Sequence, residues 1–166
     1  MKRYGFYESP CGQMLLVARD EGLSGVYFEG QKYYPSIDPT WRRDEQQSVI
    51  AQARRELTEY FAGKRQRFEL ALAPEGTPFQ RSIWQAIARV GFGETISYGE
   101  LAQSAGYPGK ARAAGAATGR NPLTIIIPCH RIVASNGALT GYAGGLERKH
   151  ALLALESRMG DLLAVA

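Results

Sequence analysis

The apolar and polar positions of this chain fall into three successive patterns. In the first, residues 3 to 8, 13 to 19 and 23 to 28 are short runs rich in β-branched, aromatic and other apolar side chains. Ser9-Pro10-Cys11-Gly12 and Asp20-Glu21-Gly22 separate them, so the pattern predicts an antiparallel meander. Residues 30 to 43 are polar and read as a loop. In the second, beginning at Asp44, the positions Val49, Ile50, Ala53, Leu57, Tyr60 and Phe61 keep helical spacing as far as Gly63, which predicts a helix laying one face on the meander. Arg67 to Leu72 reads as a further strand. The third pattern starts at Ala73-Pro74-Glu75-Gly76-Thr77-Pro78, whose Pro and Gly content marks a domain boundary after residue 76.

Beyond that boundary the periodicity is mainly helical. Thr77 is placed to cap a helix with Pro78 in its first turn and Phe79, Ile83 and Ile87 on one face. Ser97-Tyr98-Gly99-Glu100 is a capping box for a second helix running to Gly106, and Tyr107-Pro108-Gly109 breaks it. A third, Lys110 to about Thr118, ends at Gly119 before Asn121-Pro122. Ile125-Ile126-Ile127 then reads as a buried strand that stops at Pro128. Asn136-Gly137 signals a tight hairpin between residues 131 to 134 and 138 to 140, and a Gly-rich loop, residues 141 to 145, leads into a last helix near Leu146. The class is α+β, with residues 1 to 76 and 77 to 166 as its two domains.

Composition narrows the picture. With 166 residues and 45% hydrophobic content, the chain can build a real core, and disorder is excluded. No apolar stretch approaches the roughly 20 residues of a membrane span. Met1-Lys2-Arg3-Tyr4 leads into a strand and not into the apolar part of a signal peptide, so no membrane association and a cytoplasmic location are expected. Cys11 and Cys129 are the two cysteines, with no CxxC pair, and neither a disulfide framework nor a metal site is expected. Charge is uneven: residues 1 to 78 carry 11 Lys and Arg against 11 Asp and Glu, while residues 79 to 166 carry 9 against 5. The excess is modest, but it falls in the helical half and suits a polyanion.

Two features there carry candidate chemistry. The second and third helices, joined by a tight Gly/Pro turn, have helix-turn-helix spacing, although plain helix packing has the same spacing. The third, from Lys110 through Arg112 and the small residues Ala113, Ala114 and Ala117, offers almost nothing to read a base edge; it suits phosphate contact and close backbone approach. The other feature is Pro128-Cys129-His130-Arg131, which sets a thiol beside an imidazole. A base within reach raises the reactive thiolate fraction of a cysteine, and a carboxylate behind the imidazole fixes its tautomer. On a regular strand these two side chains would face opposite ways, so their pairing needs a bend or a bridging water. Glu156 follows on the same helical side as Lys149, Leu152 and Leu153; spacing alone favours the helix's wet margin for it. Cys11, between Pro and Gly with no base nearby, reads as structural.

These residues resemble the O6-alkylguanine-DNA alkyltransferase family. Ser97-Tyr98, Ala111-Arg112-Ala113, Asn121-Pro122, Ile127-Pro128-Cys129-His130-Arg131, Gly141-Tyr142-Ala143-Gly144-Gly145 and Leu152-Leu153-Ala154-Leu155-Glu156 occur in family order and spacing. The first half fits the family's ribonuclease-H-like domain by its pattern of strands and helix alone. The resemblance implies a DNA repair protein that flips O6-alkylguanine, and O4-alkylthymine, out of a duplex and moves the alkyl group irreversibly to Cys129. His130 would serve as its base through a water and Glu156 would orient His130, which overturns the margin reading. Asn121 would fix the active-site turn, and Tyr98 would help the leaving base accept a proton. Arg112 would fill the vacated stack, and Ser135 would touch the DNA backbone. Ile132, Tyr142, Ala143 and Gly144 would line the base pocket. The partner implied is double-stranded DNA, met through its minor groove with little sequence readout, by a monomer needing no cofactor.

Overall fold

The computed structural model describes residues 1–20 and 22–165, those from 158 to 165 as helical backbone. Glu21, the middle of one predicted turn, lies outside the described residues. The chain divides into two compact units, Met1–Glu75 with Pro122–Thr124, and Gly76–Asn121 with Ile125–Ala166.

In the first unit the meander is β1 (Lys2–Ser9), β2 (Gly12–Arg19) and β3 (Gly22–Phe28), paired antiparallel in sequence order. β2 is central and supplies the continuous buried run Met14 to Ala18. The predicted loop contains a short strand, β4 (Arg42–Arg43), which pairs parallel with the outer side of β1. Helix α1 (Ser48–Phe61) begins four residues after Asp44, just ahead of its first apolar position, Val49, because Gln47 caps it by accepting the Ile50 N–H. Its buried face includes Val49, Ile50, Ala53, Leu57 and Tyr60. It packs so closely on β1 that a Cβ on Gly5 would stand 3.2 Å from the Ile50 side chain.

The expected strand from Arg67 to Leu72 does not form. This stretch is held by the buried carboxylate of Glu56, which accepts the Glu69 N–H at 2.8 Å, and by one parallel bridge, Leu72 to Leu23. The first unit also takes in residues that the single cut after residue 76 assigns to the second domain. Pro122–Thr124 lies along β3, where the Val26 N–H donates to the Pro122 carbonyl at 2.8 Å and the Thr124 N–H to the Val26 carbonyl at 3.1 Å. The polar groups of a strand edge need partners, and this segment supplies them.

The second unit is mainly helical. In α2 (Pro78–Ala88), Thr77 and Gln80 form a reciprocal capping box, and Trp84 is buried with its indole N–H on the Ala117 carbonyl at 2.8 Å. In α3 (Tyr98–Ser104), Ser97 and Glu100 form the second box. Gly106 and Gly109, at φ 90° and 81°, make the tight turn into α4 (Ala111–Gly119). The Asn136-Gly137 turn is tight as expected, with the Gly137 N–H on the Ala134 carbonyl at 2.8 Å and the Ala134 N–H on the Ala138 carbonyl at 3.1 Å, but no strand ladder extends from it: β6 (Ile132–Val133) pairs parallel with β5 (Ile96–Ser97). α5 (Leu146–Val165) closes the described chain, and among the described residues no helix is long and apolar enough to cross a membrane.

Candidate active site

The apolar run before the thiol is buried, as its composition predicts, but it is not a strand. Ile125 has φ of 72°, a left-handed conformation that is costly for a β-branched residue, and it starts a turn. The Asn121 amide donates to the Ile127 carbonyl at 2.8 Å and so takes a group that a strand would offer to a neighbour. Pro128 follows without an N–H, and Cys129–Arg131 forms a single 3-10 turn with the Arg131 N–H on the Pro128 carbonyl at 2.9 Å. Successive side chains of such a turn diverge by about 120°, less than the alternation of a strand, so the turn supplies the bend that adjacent Cys and His require.

The thiol is 6% exposed. Burial pushes its pKa up, against side-chain hydrogen bonds with Asn121 and Tyr142 and the charge of Lys149, so at neutral pH it is protonated. His130 and Glu156 are fully buried and share a hydrogen bond of 2.7 Å from Nε2 to Oε2. Burial raises the Glu156 carboxyl, but hydrogen bonds from His130 and Arg131 overcome it and hold the pKa at about 2. The carboxylate is therefore ionised and acts as acceptor, which places the His130 proton on Nε2. Burial lowers the imidazole pKa further than Glu156 raises it, so His130 is neutral. Its Nδ1 is buried, bare of a proton, and without a hydrogen-bond partner among the described residues. A neutral imidazole with one free lone pair, next in chain to a buried thiol and backed by a carboxylate, is equipped to take a proton from that thiol.

Glu156 is thus not at a wet margin. α5 turns Lys149, Leu152 and Glu156 inward together, each with no exposed surface. The Lys149 ammonium donates to the carbonyls of Ile132 at 2.6 Å, Thr140 at 3.1 Å and Gly141 at 3.3 Å, tying β6 and the loop after it to α5. The Tyr98 hydroxyl donates to the same Thr140 carbonyl at 3.2 Å, and burial pushes its pKa up, so the phenol keeps its proton.

Two family models cover nearly the whole chain: "6-O-methylguanine DNA methyltransferase, DNA binding domain" over residues 78–158, and "6-O-methylguanine DNA methyltransferase, ribonuclease-like domain" over residues 2–74. The chain belongs to the 6-O-methylguanine DNA methyltransferase family. A methylated-DNA–protein-cysteine methyltransferase of Methanosarcina acetivorans is 46% identical over 153 residues, 92% of this chain and 97% of that protein. One of the same name from Haemophilus influenzae is 42% identical over 92% of this chain and 85% of its own length. Among solved structures, that of Mycobacterium tuberculosis OGT in complex with DNA aligns with a TM-score of 0.87 and 39% identity, covering 95% of this chain and 94% of that one.

Within this family member the remaining predicted residues separate by exposure. Lys110, Arg112 and Ala113 are exposed at the start of α4. Ala114 and Ala117, expected to meet DNA, are instead on the inner face, at 0% and 3% exposure, with the Ala117 carbonyl engaged by Trp84. The outer face passes through Arg112, Ala113 and Ala116, because residues three apart share a side and 114 and 117 are committed to packing. Ser135 is exposed in the turn after β6. Tyr142 and Ala143 are half-buried, while Gly144 and Ile132 are buried, the Ile132 carbonyl already holding Lys149. Sequence reasoning missed the roles of Arg131 and Lys149. Arg131 is 6% exposed and forks onto Glu156 from Nε at 2.8 Å and Nη2 at 3.0 Å. No periodicity marks a residue in a 3-10 turn as buried; the one available signal was a charged residue set between two apolar runs, Ile125 to Ile127 and Ile132-Val133.

Proposed function

We propose that Cys129 is the residue to which this DNA repair methyltransferase moves an alkyl group from DNA, with O6-alkylguanine and O4-alkylthymine as substrates. The His130–Glu156 hydrogen bond of 2.7 Å, which leaves a bare imidazole nitrogen on the residue next in chain to a buried thiol, carries the reading. The thiol gives its proton to His130 through a water. Sγ then attacks the saturated carbon, the C–S bond forms as the C–O bond breaks, and the electron pair leaves with the base. Tyr98 assists protonation of that base, Asn121 fixes the turn that carries Cys129, and Glu156 stabilises the imidazolium.

An alkylated oxygen inside a duplex is out of a thiol's reach, so the base must be extruded, and a damaged pair opens at least cost. Arg112 fills the space it vacates. Lys110, Ala113 and Ser135 line the contact with the minor groove, where small side chains allow close approach with little sequence readout. Tyr142, Ala143, Gly144 and the Ile132 backbone enclose the flipped base. Residues 77 to 166 bind DNA and carry out the transfer as part of a cytoplasmic, nucleoid-associated monomer, with residues 1 to 76 as its ribonuclease-H-like domain.

The product is a thioether, which has no carbonyl for water to attack, so each molecule reacts once. Intact-mass measurement after mixing with methylated duplex will show one added methyl group, mapping to Cys129 and absent from Cys129→Ser. Product accumulating beyond one equivalent of protein would overturn the reading.

A further inference from the structure

Arg131 has no part in the reaction as set out above. Its Nε and Nη2 engage both oxygens of Glu156, its Nη1 donates to the Val90 carbonyl at 2.7 Å, and its guanidinium carbon lies 5.7 Å from the centre of the Phe92 ring. Glu156 Oε2 therefore accepts from His130 and from Arg131 at once. We infer that Arg131 is a positioning residue for the transfer: by holding both oxygens of Glu156 it keeps that carboxylate from drawing a proton onto His130, so the imidazole stands ready as a base.

A buried carboxylate paired only with an imidazole lowers its energy by charging the imidazole, because two opposite charges in contact are better tolerated in a low-dielectric interior than one alone. An imidazolium cannot take a proton from Cys129. Arg131 supplies the opposite charge permanently, since a guanidinium does not titrate in the working range, and its planar fork matches the carboxylate edge to edge. The same fork fixes the carboxylate plane and so the direction in which Oε2 meets Nε2. Other groups face His130 as well. From α5 come Glu156 and Lys149, from its own turn Arg131, and from the connection between α2 and α3 the Val90 carbonyl and the Phe92 ring through Arg131. Lys149 pushes in the same direction as Arg131, but its ammonium is bound to three carbonyls, so it moderates the effect without replacing the fork.

This inference rests on the proposed role of Cys129, His130 and Glu156, and its test separates the two. The protonation of His130 is followed by the nitrogen-15 shifts of its ring in the full chain without DNA; His150, the other of two histidines, is exposed and serves as an internal reference. In the parent protein His130 remains neutral, with its proton on Nε2, to below pH 6.5. In Arg131→Met its titration moves up by about one pH unit or more, and the single-turnover rate of alkyl transfer falls at low pH and recovers at high pH. Arg131→Lys returns both toward the parent. A variant that titrates like the parent, or loses rate equally at all pH values, would overturn the inference. If Arg131→Met does not fold, Arg131→Gln, which keeps hydrogen-bond donors but carries no charge, is measured in its place, and its His130 titration again moves up; a curve identical to the parent's would overturn the inference. No transfer in the parent protein, with the His130 shift intact, would count against the proposed function and leave the role of Arg131 toward His130 standing.

Discussion

Glu156 has no exposed surface and yet keeps its charge, which makes it the residue whose protonation most directly couples the site to the stability of the fold. Its pKa falls from 4.5 to about 2 on folding, so its contribution is fully present above pH 4.5 and is lost as pH falls through the folded value near 2. A shift of that size corresponds to stabilisation on the order of 3 kcal/mol. His130 acts in the same direction at higher pH. Its folded pKa lies below the unfolded value of about 6.5, so the unfolded chain takes up a proton first and stability begins to fall below that pH. Urea denaturation across pH should therefore show stability declining below about 6.5 and again below about 4.5. In Glu156→Gln the lower limb should flatten while neutral-pH stability drops. A Glu156→Gln curve parallel to the parent's would mean that the carboxylate is not held by these contacts. Spacing alone placed this residue wrongly, and the family resemblance corrected it, because helical spacing says which side a glutamate is on but not whether an arginine 25 positions away lies opposite it.

At the scale of elements, what could be read in advance was local. The Thr77 cap and the capping box of Ser97 with Glu100 formed as their local patterns predict, and Gln80 completes a second box at Thr77, since every group involved lies within one helical turn. What could not be read depended on distant partners. Ile125 to Ile127 has the composition of a strand, but its conformation is decided by the Asn121 side chain and a left-handed Ile125. β6 pairs with β5, 36 residues away, and not across the Asn-Gly turn beside it. α4 shows the same limit, since its alanines look alike in sequence and packing alone divides Ala114 and Ala117 from Ala113. The outer stripe of α4 now rests on Arg112, which yields a selective prediction. Arg112→Ala should slow reaction with a methylated duplex by roughly tenfold or more while leaving reaction with the free alkylated base nearly unchanged, because only the duplex must be held open. Single-turnover rates on both substrates check it, and equal losses would refute the role.

On the scale of the whole molecule, the first unit is assembled from two separated pieces of chain, residues 1–75 and 122–124. Pattern and composition mark a boundary at residues 73 to 78, and they had no means of finding a three-residue return, which is too short to carry a period. The backbone groups of Val26 are satisfied by that return. A fragment of residues 1 to 76 should accordingly keep the β1–β2 ladder but lose amide protection at Val26, which is protected in the full chain. Hydrogen exchange followed by NMR distinguishes the two, and equal protection would show that the return segment is dispensable. The return also orders events during synthesis. A ribosome finishes residues 1 to 75 long before residue 124 leaves the exit tunnel, so the nascent sheet waits with one edge open while α2, α3 and α4 are still being made. Its last strand contact is completed only as residue 124 emerges, a few residues ahead of the thiol.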